Sequence, residues 1–139
     1  MALPNPLHLI GGTLSPYTRK MVALLRYRRI PYRITWKDPN IVLKNLGIED
    51  KPKFVFHPTF LFEKDGGDFQ AVCDSTPIIH SLEEEVAERS VIPVDPALAF
   101  INFLLEDFGD EWTTKYMFHY RWYLETDADN AGTILTFSG

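Results

Sequence analysis

A short apolar run from Leu7 to Ile10 ends at Gly11–Gly12, and Ser15–Pro16 follows almost at once. The run reads as a buried strand closed by glycines. Serine followed by proline reads as a helix start: the serine oxygen accepts a backbone N–H, and proline at the first helical position forfeits no hydrogen bond. Met21, Val22, Leu24 and Leu25 give that helix a core stripe, with Arg19, Lys20, Arg26, Arg28 and Arg29 on the other side. Pro31 breaks it. Tyr32, Ile34 and Trp36 then alternate with Arg33 and Thr35 as a second strand. Strand, helix and strand at this spacing demand a parallel pair joined by a right-handed crossover. A purely antiparallel sheet is thereby excluded.

The segments that follow extend this unit. Asp38–Pro39 is another cap-and-proline start, for a short helix around Ile41 to Leu46 that stops at Gly47. The stretch from Glu49 to Pro58 reads as a loop. Two β-rich runs flank Asp65–Gly66–Gly67–Asp68, a hairpin signal. Asp74 or Ser75 caps a third helix, with Ile78, Ile79, Leu82 and Val86 inward and Glu83 to Glu85 outward. The predicted architecture is therefore α/β, a βαβαββα domain with a mixed four-stranded sheet. Pro93 and Pro96 mark a linker, and Asp95–Pro96 opens a long helix. Phe100, Phe103, Leu104, Phe108, Trp112 and Tyr116 recur along it at helical spacing to about Trp122. That is about 28 residues, or roughly 40 Å at the standard rise. The tail from Glu125 to Gly139 offers no packing partner of comparable size. The reading divides the chain into a domain over 5–88, a linker over 89–95 and the beginning of an incomplete all-helical domain over 96–139.

Charge and cysteine count narrow the function classes. With 139 residues, a net charge of -5 and a pI near 5.3, the chain offers no extended surface for nucleic acid. No apolar run approaches the roughly 20 residues of a membrane span, and no secretory leader is visible. Cys73 stands alone, so no internal disulfide can form, and a cytoplasmic, reducing location is expected. No metal site is expected.

The order of elements and three motifs together resemble a cytosolic-type, bacterial-like glutathione transferase, over nearly all of Leu7 to Trp122. The motifs are Ser15–Pro16–Tyr17–Thr18–Arg19 after the first strand, His57–Pro58 before the third, and Asp74–Ser75 at the start of the third helix. The first is similar to the family's serine version of the thioredoxin active-site turn, and the second occupies the place of that fold's cis-proline. The resemblance implies a thioredoxin-like glutathione-binding domain followed by the first long helix of a helical domain.

It also implies roles. Ser15 would donate its hydroxyl to the glutathione sulfur, with Arg19 supporting the thiolate and Tyr17 or Thr18 as the next hydroxyls. The backbone of His57, ahead of Pro58, would pair with the cysteinyl part of the peptide. Free N–H groups, a hydroxyl and a carboxylate at Asp74–Ser75 suit the zwitterionic γ-glutamyl end. Lys44, Lys51 and Lys53 are all open candidates for the glycine carboxylate. Glutathione would be the co-substrate, a small electrophile the substrate, and a second copy the cover for the apolar helix, giving a homodimer. A non-catalytic binding or interaction module keeping the same fold is the alternative. Each motif also has an ordinary structural reading: helix capping for the two serines, a loop proline for Pro58, and a core position for Cys73.

Overall fold

The computed structural model describes residues 3–137, and the chain divides into two compact units, Met1–Ser90 and Val91–Gly139. The first unit holds β1 (Leu7–Gly11), α1 (Pro16–Arg28), β2 (Tyr32–Trp36), α2 (Pro39–Leu46), β3 (Thr59–Glu63), β4 (Phe69–Cys73) and α3 (Ser75–Glu85). The sheet order is β2-β1-β3-β4. β1 runs parallel to β2, with Leu9 opposite Ile34, and antiparallel to β3, which closes the antiparallel hairpin with β4. This is the mixed sheet and the thioredoxin-like order that the sequence predicts.

The pleat sorts the core onto two faces. Ile10, Leu61 and Ala71 meet Val42 and Leu43 of α2, with Ile48. Leu7, Leu9, Phe60 and Phe62 project from the opposite face, where Met21 and Leu25 of α1 and Ile78 and Leu82 of α3 are also buried. Val86, expected inward on α3, instead ends that helix in an extended conformation, half-buried. On the α2 face, His8 is buried beside Thr35 and Arg33. Burial, and then the Arg33 guanidinium, push its pKa below 6.5. Protonation is thus harder in the folded state, and this residue costs stability as pH falls below about 6.5.

Two side chains depart from the amphipathic reading of α1. Thr18 is fully buried, and Arg28, assigned above to the solvated side, is buried with it. Arg28 pairs with Glu83 at 2.9 Å and donates to the carbonyls of Val86 and Glu88. The guanidinium clasps the C-terminal ends of α1 and α3 together. Helical spacing places 18, 21, 25 and 28 on one face, so the charge went inside because a partner waited there.

Gly11 lies where β1 passes under α1. A Cβ there would stand 2.6 Å from Thr18 Cγ2 and 3.0 Å from Ile34 Cδ1. Thr18 cannot swing away easily, since its hydroxyl accepts the Gly12 N–H at 3.2 Å. Gly11→Ala is therefore expected to destabilise the first unit by about 1–3 kcal/mol through overpacking. A lowered urea midpoint with unchanged slope is the signature; an unaltered midpoint would mean that the strand shifts freely.

In the second unit, Asp95 caps α4 (Pro96–Asp107) by accepting the N–H groups of Ala97 and Leu98 at 3.0 and 2.9 Å. The helix continues through a π-helical segment, Phe108–Thr113, into α5 (Thr114–Tyr123). The expected continuous helix is present, with a widened central turn. The tail corrects the sequence reading: Glu125–Phe137 forms α6, which packs on α5 and buries Ala131. Within this unit no residue of α4 or α5 is buried; Phe100, Trp112 and Tyr116 are 60%, 54% and 55% exposed. Among the described residues, no helix is long and apolar enough to cross a membrane.

Candidate functional site

The loop after β1 and the turn before β3 meet at Ser15. That residue stands at the N-cap of α1, extended (φ -80°, ψ 117°), with Pro16 following. Its Oγ accepts the Thr18 N–H at 3.1 Å, and its hydroxyl donates to the His57 carbonyl at 3.4 Å. The bond between His57 and Pro58 is cis, as the sequence predicts; Asn5–Pro6 is cis as well. Gly12 makes room for the imidazole, since a Cβ there would lie 2.9 Å from His57 Nδ1. His57 Nε2 is 3.0 Å from the Lys37 carbonyl, so that nitrogen carries the proton.

The start of α3 supplies the second part. Asp74 is its N-cap and accepts the Thr76 N–H at 3.2 Å, with Ser75 as the first helical residue. Asp74 has φ 80° and ψ 122°, a region that non-glycine residues seldom enter. Such a conformation costs on the order of 1–3 kcal/mol and persists only where its surroundings hold it. Ser75 is buried, and Lys20 of α1 donates from Nζ to its Oγ at 3.1 Å. Lys20 and Ser15 are five residues apart, about 7–8 Å along the helix axis. The first turn and a half of α1 therefore carries Ser15 and, through Lys20, touches the start of α3.

The remaining candidates lie outside these contacts. Arg19 is exposed; it donates to the Thr13 carbonyl at 3.4 Å and lies 5.8 Å from the Trp36 ring centroid. Lys44, Lys51 and Lys53 are exposed on the last turn of α2 and the loop beyond it, Lys53 above the ring of Phe54. Thr18, a fallback hydroxyl on sequence grounds, is buried and bound to Gly12. Cys73 is half-buried, its sulfur 3.5 Å from the Phe56 N–H and 3.3 Å from Thr59 Oγ1. Sequence reasoning missed Lys20, because nothing local separates it from the other cations of α1.

Comparison with known proteins follows the same outline. A family model described as the glutathione S-transferase N-terminal domain matches residues 9–90. No curated protein matches the chain. Among solved structures, the chain is similar to a Tau class glutathione S-transferase from mango, at 18% identity over 93% of this chain and a TM-score of 0.58. It is also similar to a maleylacetoacetate isomerase from Anaeromyxobacter dehalogenans with bound dicarboxyethyl glutathione and citrate, at 16% identity over 95% and a TM-score of 0.57. A glutathione S-transferase from Methylobacterium radiotolerans in complex with glutathione sulfonate matches 68% of the chain at 24% identity, with a TM-score of 0.49. The chain covers 57%, 60% and 42% of those three proteins, respectively.

Proposed function

We propose, for a chain that belongs to the glutathione S-transferase family through its N-terminal domain, that it binds glutathione and conjugates the thiolate to a small electrophile. The observation that carries this reading is the Ser15 hydroxyl, at a helix N-terminus and 3.4 Å from the His57 carbonyl. An unperturbed thiol has a pKa of about 8.5, so a site working near neutrality must favour the anion. A helix N-terminus and a hydroxyl donor both do so. The Thr18 N–H bonded to Ser15 Oγ polarises that hydroxyl further. To reach sulfur, the hydroxyl turns away from the His57 carbonyl, which becomes available to the backbone of the cysteinyl residue.

The reaction balances simply. The glutathione thiol loses its proton to solvent, the thiolate attacks the electrophilic carbon, and the leaving group departs with its electron pair. Asp74 and Ser75 hold the γ-glutamyl end, and one of Lys44, Lys51 and Lys53 holds the glycine carboxylate. The glutathione derivative in the isomerase relative supports the ligand class. The protein acts in the cytoplasm, consistent with a single cysteine and no possible internal disulfide.

The exposed apolar side chains of α4 and α5 support two further readings. One is a homodimer that covers them; the other is a non-catalytic binding or interaction module with the same fold. Conjugation to an activated aryl halide, measured beside glutathione binding by calorimetry, decides among these. Binding with turnover is the expected result. Binding without turnover overturns the conjugation and leaves the module, and the absence of both binding and turnover overturns the whole proposal. Sedimentation gives the assembly state.

A further inference from the structure

The turn before β3 also brings the imidazole of His57 to Ser15, a group that the reaction above leaves unused. Its Nε2 donates to the Lys37 carbonyl at 3.0 Å, so Nδ1 carries a lone pair and accepts. A Cβ on Gly12 would stand 2.9 Å from Nδ1, 3.1 Å from Cγ and 3.3 Å from Cε1. An approach in the ring plane, head-on to Nδ1, would leave the two carbons about 1 Å farther away than the nitrogen. The near-equal distances put Gly12 against the flat face of the imidazole, so the in-plane lone pair of Nδ1 is not covered by it. Gly12 also accepts the Ser15 N–H through its carbonyl at 3.2 Å, and Ser15 Oγ faces the His57 carbonyl at 3.4 Å. Gly12, Ser15 and His57 thus close a ring of contacts, and a sulfur held by the Ser15 hydroxyl sits at its rim.

We propose that the side chain of His57 is catalytic, a role that rests on the glutathione-binding reading above. Nδ1 takes the thiol proton of bound glutathione, directly or through one water, and holds it as imidazolium beside the thiolate. The S–H bond breaks with its electron pair left on sulfur, and the proton forms the Nδ1–H bond. The Lys37 carbonyl fixes the ring and its tautomer, and it accepts more strongly from Nε2 once the ring is cationic. After the thiolate has attacked and the leaving group has departed, the imidazolium passes the proton to solvent, which reaches the half-buried ring. Ser15 and His57 divide the work. The hydroxyl donates to the sulfur anion, and the imidazolium supplies the opposite charge, which within about 4–6 Å favours an anion about tenfold or more.

The test counts protons. Glutathione and S-methylglutathione, which has no thiol proton, are titrated into the wild-type chain by calorimetry at one pH, in two buffers of different ionisation enthalpy. Thiolate absorbance is read at saturation. The wild-type chain is expected to show bound thiolate while releasing, relative to S-methylglutathione, well under one proton per thiolate formed. His57→Gln keeps a side-chain N–H for the Lys37 carbonyl but cannot take up a proton. It is expected to hold about tenfold less thiolate at saturation and to conjugate about tenfold more slowly. One proton released per thiolate by the wild type, or undiminished thiolate in His57→Gln, overturns the assignment and leaves glutathione binding standing. Glutathione bound to the wild type with its thiol still protonated overturns it as well. If His57→Gln does not fold, the proton count on the wild type decides alone. If the wild-type chain binds no glutathione, the glutathione reading itself fails, and the role of His57 fails with it.

Discussion

Glycine in place of Ser15 is expected to slow conjugation about 10²-fold while the fold and glutathione affinity persist. That is the lower end for removing one preorganised donor to a developing or resident anion. The magnitude rests on three observations: the hydroxyl at the N-cap, the Thr18 N–H that it accepts, and the His57 carbonyl that it now faces. Glycine is the informative choice because it replaces a capping side chain at a few tenths of a kcal/mol, against about 0.5–2 kcal/mol for alanine. Its backbone accepts the extended N-cap conformation without strain. The pKa of bound glutathione, followed by thiolate absorbance, should climb back toward the free value of about 8.5. Activity at low pH should therefore fall more than activity at high pH, where even the unassisted thiol ionises. Turnover that persists with an unmoved thiol pKa would reduce Ser15 to a cap. Tyr17 is then the next hydroxyl, since Thr18 is buried and bound to Gly12.

What could be read from the sequence was local, and what could not was tertiary. All three cap-and-proline pairs, at Ser15, Asp38 and Asp95, open helices where they stand, each with a side-chain oxygen on a backbone N–H. Capping is decided within four residues, so no distant contact can easily overrule it. The turn at Asp65–Gly66–Gly67–Asp68 has the same character, with φ of 111° and 87° at its two glycines, conformations that favour glycine. Arg28 and Lys20 are the opposite case. Each looks like a solvated cation on α1, and each is claimed by a residue more than fifty positions away, Glu83 and Ser75. Helix α6 failed to register for another reason. Its stretch lacks proline and a strong apolar stripe, so only the acids Glu125 and Asp127 in its first turn announce it, through their fit to the positive helix end.

Asp74→Asn combined with Ser75→Ala is expected to weaken glutathione binding by about 2–4 kcal/mol, since hydrogen bonds to charged groups are worth about 1.5–3 kcal/mol each. This corresponds to a loss of roughly 30- to 1,000-fold in affinity. Asparagine serves better here than alanine. Asp74 sits at φ 80° and caps α3 through the Thr76 N–H, and asparagine tolerates positive φ and keeps the cap oxygen. The substitution therefore removes the charge offered to the α-amine and little else. Alanine would lose the cap and strain the backbone together, so weakened binding could not be told from a melted helix start. Ser75→Ala removes the hydroxyl that accepts from Lys20 Nζ, within a buried site that a methyl group fits without overpacking. Calorimetry at fixed pH, with unfolding curves showing the double variant within about 1 kcal/mol of wild type, checks the prediction. Unchanged affinity in the double variant would move the γ-glutamyl site away from α3. The Ser15 hydroxyl would then have to act on a thiol held by other contacts.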